Sequence, residues 1–189
     1  MEGNSKKTTI VGNYQLNTRI GCGAYAEVFS GIDRRNEKSV AVKVIARNKI
    51  SHTKLQENLQ SEIAILRDFN HINIVRLVDH FNSSKYIFLV LELCEGGDLS
   101  KFIKKYKSIS EELSIRFLKQ IASGLLFLSH KSLIHRDLKP ANILLTEFSE
   151  NAILKLADFG ILYYFYYHNI TIIIIMTTPR ICKGAKGCG

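Results

Sequence analysis

The stretch Ile134-His135-Arg136-Asp137-Leu138-Lys139-Pro140-Ala141-Asn142-Ile143-Leu144-Leu145 decides how this chain is read. A histidine, two cations, an acid and an amide are crowded between apolar segments, and a plain polar loop does not account for that order. Asp137 has the chemistry of a proton acceptor for an attacking hydroxyl. Lys139 can neutralise a migrating phosphoryl group, and Asn142 can supply a neutral oxygen ligand to a metal.

Just downstream, Leu156-Ala157-Asp158-Phe159-Gly160 offers a hard oxygen donor, suited to Mg²⁺, beside an aromatic that would pack inward and fix its direction. Upstream the pattern is helical. Ser110, followed by Glu111 and Glu112, predicts the start of a long helix, because the hydroxyl can cap and the acids favour the positive end. Leu113, Phe117, Ile121, Leu125 and Leu128 give that helix an apolar face as far as His130, and Leu99–Tyr106 reads as a shorter one. The break Glu95-Gly96-Gly97-Asp98 separates these helices from a β-rich half. There residues 14–44 read as strands, and YQLNTRI, EVFSGID and SVAVKVI predict antiparallel hairpins. Leu55, Leu59, Ile63 and Leu66 mark one helix over 53–69, and two more strands follow near 76–81 and 86–92.

Two further features lie in the β-rich half. Ile20-Gly21-Cys22-Gly23-Ala24-Tyr25-Ala26-Glu27-Val28 sits between two strands, where glycines let backbone N–H groups approach phosphate oxygens. By itself the segment reads rather as a plain hairpin turn, since glycine-rich hairpin turns are common. Val40-Ala41-Val42-Lys43 ends an apolar strand on a lysine that either reaches solvent or holds phosphates in a cleft. In the second case an acid must fix it, and both Glu62 and Glu57 on the following helix qualify.

In this order the segments resemble the protein kinases: a glycine loop, VAVK, HRDLKPxN and DFG. Lys139, two residues after Asp137, resembles the serine/threonine branch, and GCGAYAEVFSG, LELCEGGDL and HRDLKPANILL resemble the autophagy-initiating (ULK-like) kinases, which also carry Ala at the position of Ala26. The resemblance covers Tyr14–Gly160. It implies an α+β, bilobal kinase-like fold with a complete β-rich N-lobe containing one helix and an incomplete helical C-lobe. Residues 1–13 would be an N-terminal extension, 14–94 the N-lobe and hinge, 95–160 a partial C-lobe and 161–189 a non-kinase tail. ATP with Mg²⁺ would be bound and a protein Ser or Thr hydroxyl phosphorylated. Ile20, Val28, Ala41 and Leu144 would sandwich the adenine, with Leu91 as gatekeeper and the backbone of Glu92 and Cys94 bonding it at the hinge. The glycine loop from Gly21 through Glu27 would cover the phosphates. Lys43 would pair with Glu62 rather than Glu57, Asp137 and Lys139 would serve transfer, and Asn142 and Asp158 would hold the metal. Leu66, Leu77, His135 and Phe159 align with the regulatory spine, which makes His135 structural rather than a base.

The composition is compatible with this expectation. The chain has 189 residues, a net charge of +9 and 46% hydrophobic residues, which fits a packed globular core. Its basic residues are dispersed among acids and lack an aromatic-interleaved run, so a solvated basic surface is expected rather than nucleic-acid binding. The four cysteines form no CxxC pair, the opening MEGNSKKTTIVGNY has no apolar run, and Glu2 rules out N-myristoylation, so a reduced cytoplasmic protein is expected.

After Gly160 the kinase pattern gives way to ILYYFYYHNITIIIIM and then to TTPRICKGAKGCG. No activation loop or APE motif follows, and the tail is expected to be sequence read in after a disrupted junction. The apolar run at 161–176 is short for a membrane span, which needs ~20 residues, and His168 and Asn169 interrupt it, so membrane anchoring is not expected. With later helices missing, apolar faces of the 95–145 helices should be exposed, a surface for a regulatory protein partner. Two readings stay open: an active serine/threonine kinase, and an ATP-binding regulatory fragment without catalysis.

Overall fold

The computed structural model describes residues 9–23, 26–50, 59–60, 63–64 and 66–158. Ala24, Tyr25, Glu57, Glu62, Phe159, Gly160 and the apolar run at 161–176 therefore lie outside the described residues, as does the whole 53–58 segment of the expected helix. The described positions at 59–60, 63–64 and 66–67 are helical.

Short β-branched runs form a six-stranded antiparallel sheet. Its strands are β1 (Thr9–Val11), β2 (Tyr14–Cys22), β3 (Ala26–Asp33), β4 (Lys38–Ala46), β5 (Leu77–Asn82) and β6 (Tyr86–Glu92). Their spatial order is β1-β2-β3-β4-β6-β5. The sheet thus takes up Thr9–Val11 ahead of the expected first strand. It also sets β6, not β5, beside β4.

Alternation along the strands gives the sheet two different faces. Val40 and Val42 of β4 and Phe88 and Val90 of β6 pack with Tyr14 and Leu16 on one side. Ile45, Ile87 and Leu89 join the main core on the other, together with Ile63, Leu66 and Leu77. The outer core is closed by a polar lock. Arg35 donates to both oxygens of the nearly buried Asp33 at 2.9 and 2.7 Å and to the Tyr14 hydroxyl at 2.6 Å, and that hydroxyl donates to Asp79 at 2.8 Å.

The Arg35 guanidinium holds the Asp33 carboxyl below the usual carboxylate range. Its contribution to stability is therefore full above a pH of about 4 and is lost as pH falls through the depressed folded value. Asp33→Asn should destabilise the protein at neutral pH, and the gap from the parent should shrink in acid. Urea unfolding at neutral pH and near pH 3 checks this; a gap independent of pH would show that the charge is not involved.

Beyond β6 the chain forms α1 (Leu99–Tyr106) and α2 (Glu111–His130), both with the predicted limits. Ser110 caps α2 as expected, accepting from the Leu113 N–H at 3.2 Å. The buried stripe of α2 is Leu113, Phe117, Gly124 and Leu128. Gly124 is there because a Cβ would lie 2.9 Å from both the Asn73 carbonyl oxygen and Leu156 Cδ1. That close approach seats α2 against the two-stranded hairpin of β7 (Ile143–Leu145) and β8 (Leu154–Leu156). On the outer side of α2, Ile115, Leu118 and Leu126 are exposed, as expected for these helices.

Candidate active site

The strand registers bring the upper residues together. Val28 lies opposite Lys43, Lys43 opposite Leu89, and Ala41 opposite Leu91. Partners in an antiparallel pair share a face, so Val28, Ala41, Lys43 and Leu91 stand on the inner side of the sheet. Ile20 falls at a register shift between Arg19 and Gly21 and is half exposed. Gly21 pairs with Val28 and Cys22 with Glu27, and the Gly23 N–H donates to the Ala26 carbonyl at 2.8 Å, so the glycine segment is a tight connection between β2 and β3. A Cβ at Gly21 or Gly23 would meet only ordinary contacts, the nearest at 3.6 and 3.8 Å. Packing among the described residues therefore does not call for glycine at either position.

The lower residues form one connected network. Asp137 accepts from Lys139 Nζ at 2.8 Å and from Asn142 Nδ2 at 2.8 Å; the same amide nitrogen also donates to the Asp137 main-chain oxygen at 2.8 Å. These bonds hold the Asp137 carboxyl below its usual range, with the Lys139 hydrogen bond as the largest cause. With Nδ2 committed to Asp137, Oδ1 of Asn142 is left as the oxygen a cation could use. The Asn142 main-chain oxygen accepts from the Ala157 N–H at 2.9 Å, which ties the loop to the segment carrying Asp158.

Asp158 adopts φ of +50°, a conformation disfavoured for a residue with a Cβ. Its carboxylate meets Lys43 Nζ at 2.6 Å, a contact between residues 115 apart in sequence. The sheet and the segment that follows β8 are thereby joined at one charged point. Beneath it His135 is 3% exposed, and burial lowers its pKa. A neutral buried imidazole agrees with a structural rather than a proton-transfer role.

At the end of β6, the Glu92 N–H donates to the Arg76 carbonyl at 3.0 Å. Burial pushes the Cys94 thiol up to about 12, so it stays protonated and unreactive. Leu144 of β7 lies opposite Lys155 in β8 and also bridges Asp98.

Lys155 is a residue the sequence reading passed over. Its side chain is 9% exposed, and its Nζ lies 2.9 Å from Glu92 Oε1. The Glu92 side chain thus anchors the end of β6 to β8. Only the charge at 155 inside the otherwise apolar Leu154–Leu156 strand could have signalled it. Asn73 was also missed: it is buried and its Nδ2 donates to the Leu154 carbonyl at 2.9 Å.

A carboxylate and an amide oxygen beside two lysines suit a hard divalent cation carrying a phosphate ligand. The protein kinase domain family matches residues 14–177, a span reaching beyond Gly160. The chain is similar to serine/threonine-protein kinase atg1 of Dictyostelium discoideum, 46% identical over 155 residues. It is also similar to serine/threonine-protein kinase ATG1c of Arabidopsis thaliana, 44% identical over 151 residues, and to ATG1 of Debaryomyces hansenii, 37% identical over 196. These alignments take in 79%, 80% and 84% of the chain but 23%, 20% and 22% of the relatives, so the chain spans about a fifth to a quarter of their length. With the family match covering most of its residues and its motifs drawn into one charged cluster, the chain belongs to the protein kinase domain family.

Proposed function

We propose that the chain acts as a serine/threonine kinase of the ATG1 kind, transferring the γ-phosphoryl group of ATP to protein hydroxyls, with a role in initiating autophagy. The observation that carries this reading is the 2.6 Å contact between Lys43 and Asp158, next to the Asp137–Lys139–Asn142 network. Residues 14–94 are read as the upper lobe and hinge, and 95–160 as the part of the lower lobe that bears the catalytic loop.

In this reading the adenine lies between Ile20, Val28, Ala41 and Leu144, and the backbone of Glu92 and Cys94 bonds it. The segment from Gly21 through Ala24, Tyr25, Ala26 and Glu27 covers the phosphates, and Gly21 and Gly23 keep its backbone open to them. Lys43, with Glu62 as its other proposed partner, orients the α- and β-phosphates. Asn142 and Asp158 hold Mg²⁺, whose charge offsets that of the phosphates. Asp137 is ionised at neutral pH, so it can orient the Ser or Thr hydroxyl and take its proton. Lys139 neutralises charge on the group in transit.

Phosphotransfer from labelled ATP to Ser- and Thr-containing peptides tests the reading. Mg-ATP binding without transfer would move the function to nucleotide-dependent regulation. Asp158→Asn should reduce thermal stabilisation by Mg-ATP while leaving the nucleotide-free protein close to the parent. Equal stabilisation in mutant and parent would remove Asp158 from the metal site. Among the described residues no helix is long and apolar enough to cross a membrane.

A further inference from the structure

A second cleft, of about 520 Å³, lies behind the hinge and is lined by neither Lys43 nor Asp158. Its size falls within the ~300–1,000 Å³ typical of ligand sites. Both acids facing it are already matched: Glu92 by the buried Lys155, and Asp33 by Arg35. Lys38 and Arg76 also line it; they are exposed and make no ion pair among the described residues. The cleft therefore carries a surplus of positive charge.

Beside those cations the cleft presents apolar surface. Ile72 is 60% exposed, more than any other large hydrophobic residue described, and Val78 is 39% exposed. Val78 falls at the register shift between Leu77 and Asp79 in the β5–β6 pairing. A bulge of this kind re-aims a side chain out of the ladder, and here Val78 lines the cleft.

We propose that this cleft is a docking site for an acidic, extended peptide segment of a partner protein. Carboxylates of the segment meet Lys38 and Arg76, and an apolar side chain covers Ile72 and Val78. An extended chain alternates its side chains from face to face, so neighbouring acidic and apolar residues can meet a wall of mixed chemistry. The lining has no Phe, Tyr or Trp on which a base could stack, which favours a peptide over single-stranded nucleic acid.

The test is fluorescence anisotropy with a short labelled peptide of alternating Glu and Leu, and its Lys-Leu counterpart. The acidic peptide should bind at least ~10-fold more tightly, and the Lys38→Glu/Arg76→Glu double variant should lose at least ~10-fold in affinity. Ile72→Ser should weaken binding as well, which separates docking from bulk charge attraction. Unchanged affinity in the double variant would overturn the proposal. So would displacement by a single-stranded oligonucleotide at concentrations as low as those of unlabelled peptide. Mg-ATP should stabilise the double variant as it does the parent, so that a failure of docking and a failure of the kinase reading are seen separately.

Discussion

Lys43→Met should lower phosphotransfer by about 10²-fold or more, the scale on which loss of one preorganised charge at a reacting phosphate is felt. Methionine keeps most of the length of the lysine stem, so packing against the inner sheet face is largely preserved. What disappears is the cation that sits 2.6 Å from Asp158. The pair is partly exposed, its side chains 26% and 57% accessible, so solvent screens it and breaking it should change stability by no more than about 1 kcal/mol. The expected result is a folded protein with a collapsed turnover rate, seen as a fall in kcat in a steady-state assay beside a urea midpoint within about 1 M of the parent's. A matched control is Lys85→Met, on the exposed turn between β5 and β6, which should leave the rate as it is. Parent-like turnover in Lys43→Met would remove this residue from the nucleotide site and with it the main support for the proposed function.

The local features of the fold were legible wherever the sequence carries a period or a cap. Alternation in Lys38–Ala46 announced a strand, and the structure buries Val40 and Val42 on one face and directs Ala41 and Lys43 to the other. Ser110 with two acids behind it gave the first turn of α2. Long-range relations were less legible, because no local signal encodes them. Nothing in the strand sequences says that β6 rather than β5 pairs with β4. Ile143–Leu145 and Leu154–Leu156 are three-residue strands, too short for a period to register.

The site divides in the same way. The types of its groups were legible from the order of the motifs, since Asp137, Lys139 and Asn142 are close in sequence and fall into one hydrogen-bonded network. Lys155 was not, because a lysine in a strand is ordinarily solvated, and only the folded position of Glu92 makes its burial tolerable. The left-handed backbone of Asp158 was equally hidden. Its strain is a property of how the chain leaves β8, not of the residue type.

The glycine pair at the hinge gives the sharpest expectation for stability, because its two members should respond very differently to the same substitution. At Gly96 a Cβ would lie 2.3 Å from the Glu147 carbonyl carbon and oxygen and 2.8 Å from Leu145 Cβ. Two of these three atoms are backbone, so no side-chain rotation relieves the clash. The Gly96 N–H also donates to the Leu145 carbonyl at 3.0 Å, and the Leu145 N–H donates to Gly97 at 2.8 Å. Displacing residue 96 therefore strains the bonds that hold the hinge exit against β7. Gly96→Ala should cost about 3 kcal/mol, at the upper end for overpacking. Gly97 has φ of +70° but nothing within 4 Å of its Cβ position, so Gly97→Ala bears only the left-handed backbone penalty of about 1–2 kcal/mol. Denaturant unfolding of the two variants side by side measures the difference. The Gly96 variant should also lose Mg-ATP stabilisation, because β7 carries Leu144 and follows directly from Asn142. Equal losses at both positions would mean that backbone conformation alone accounts for the glycine pair, and that the contact between the hinge exit and β7 is softer than its spacing implies.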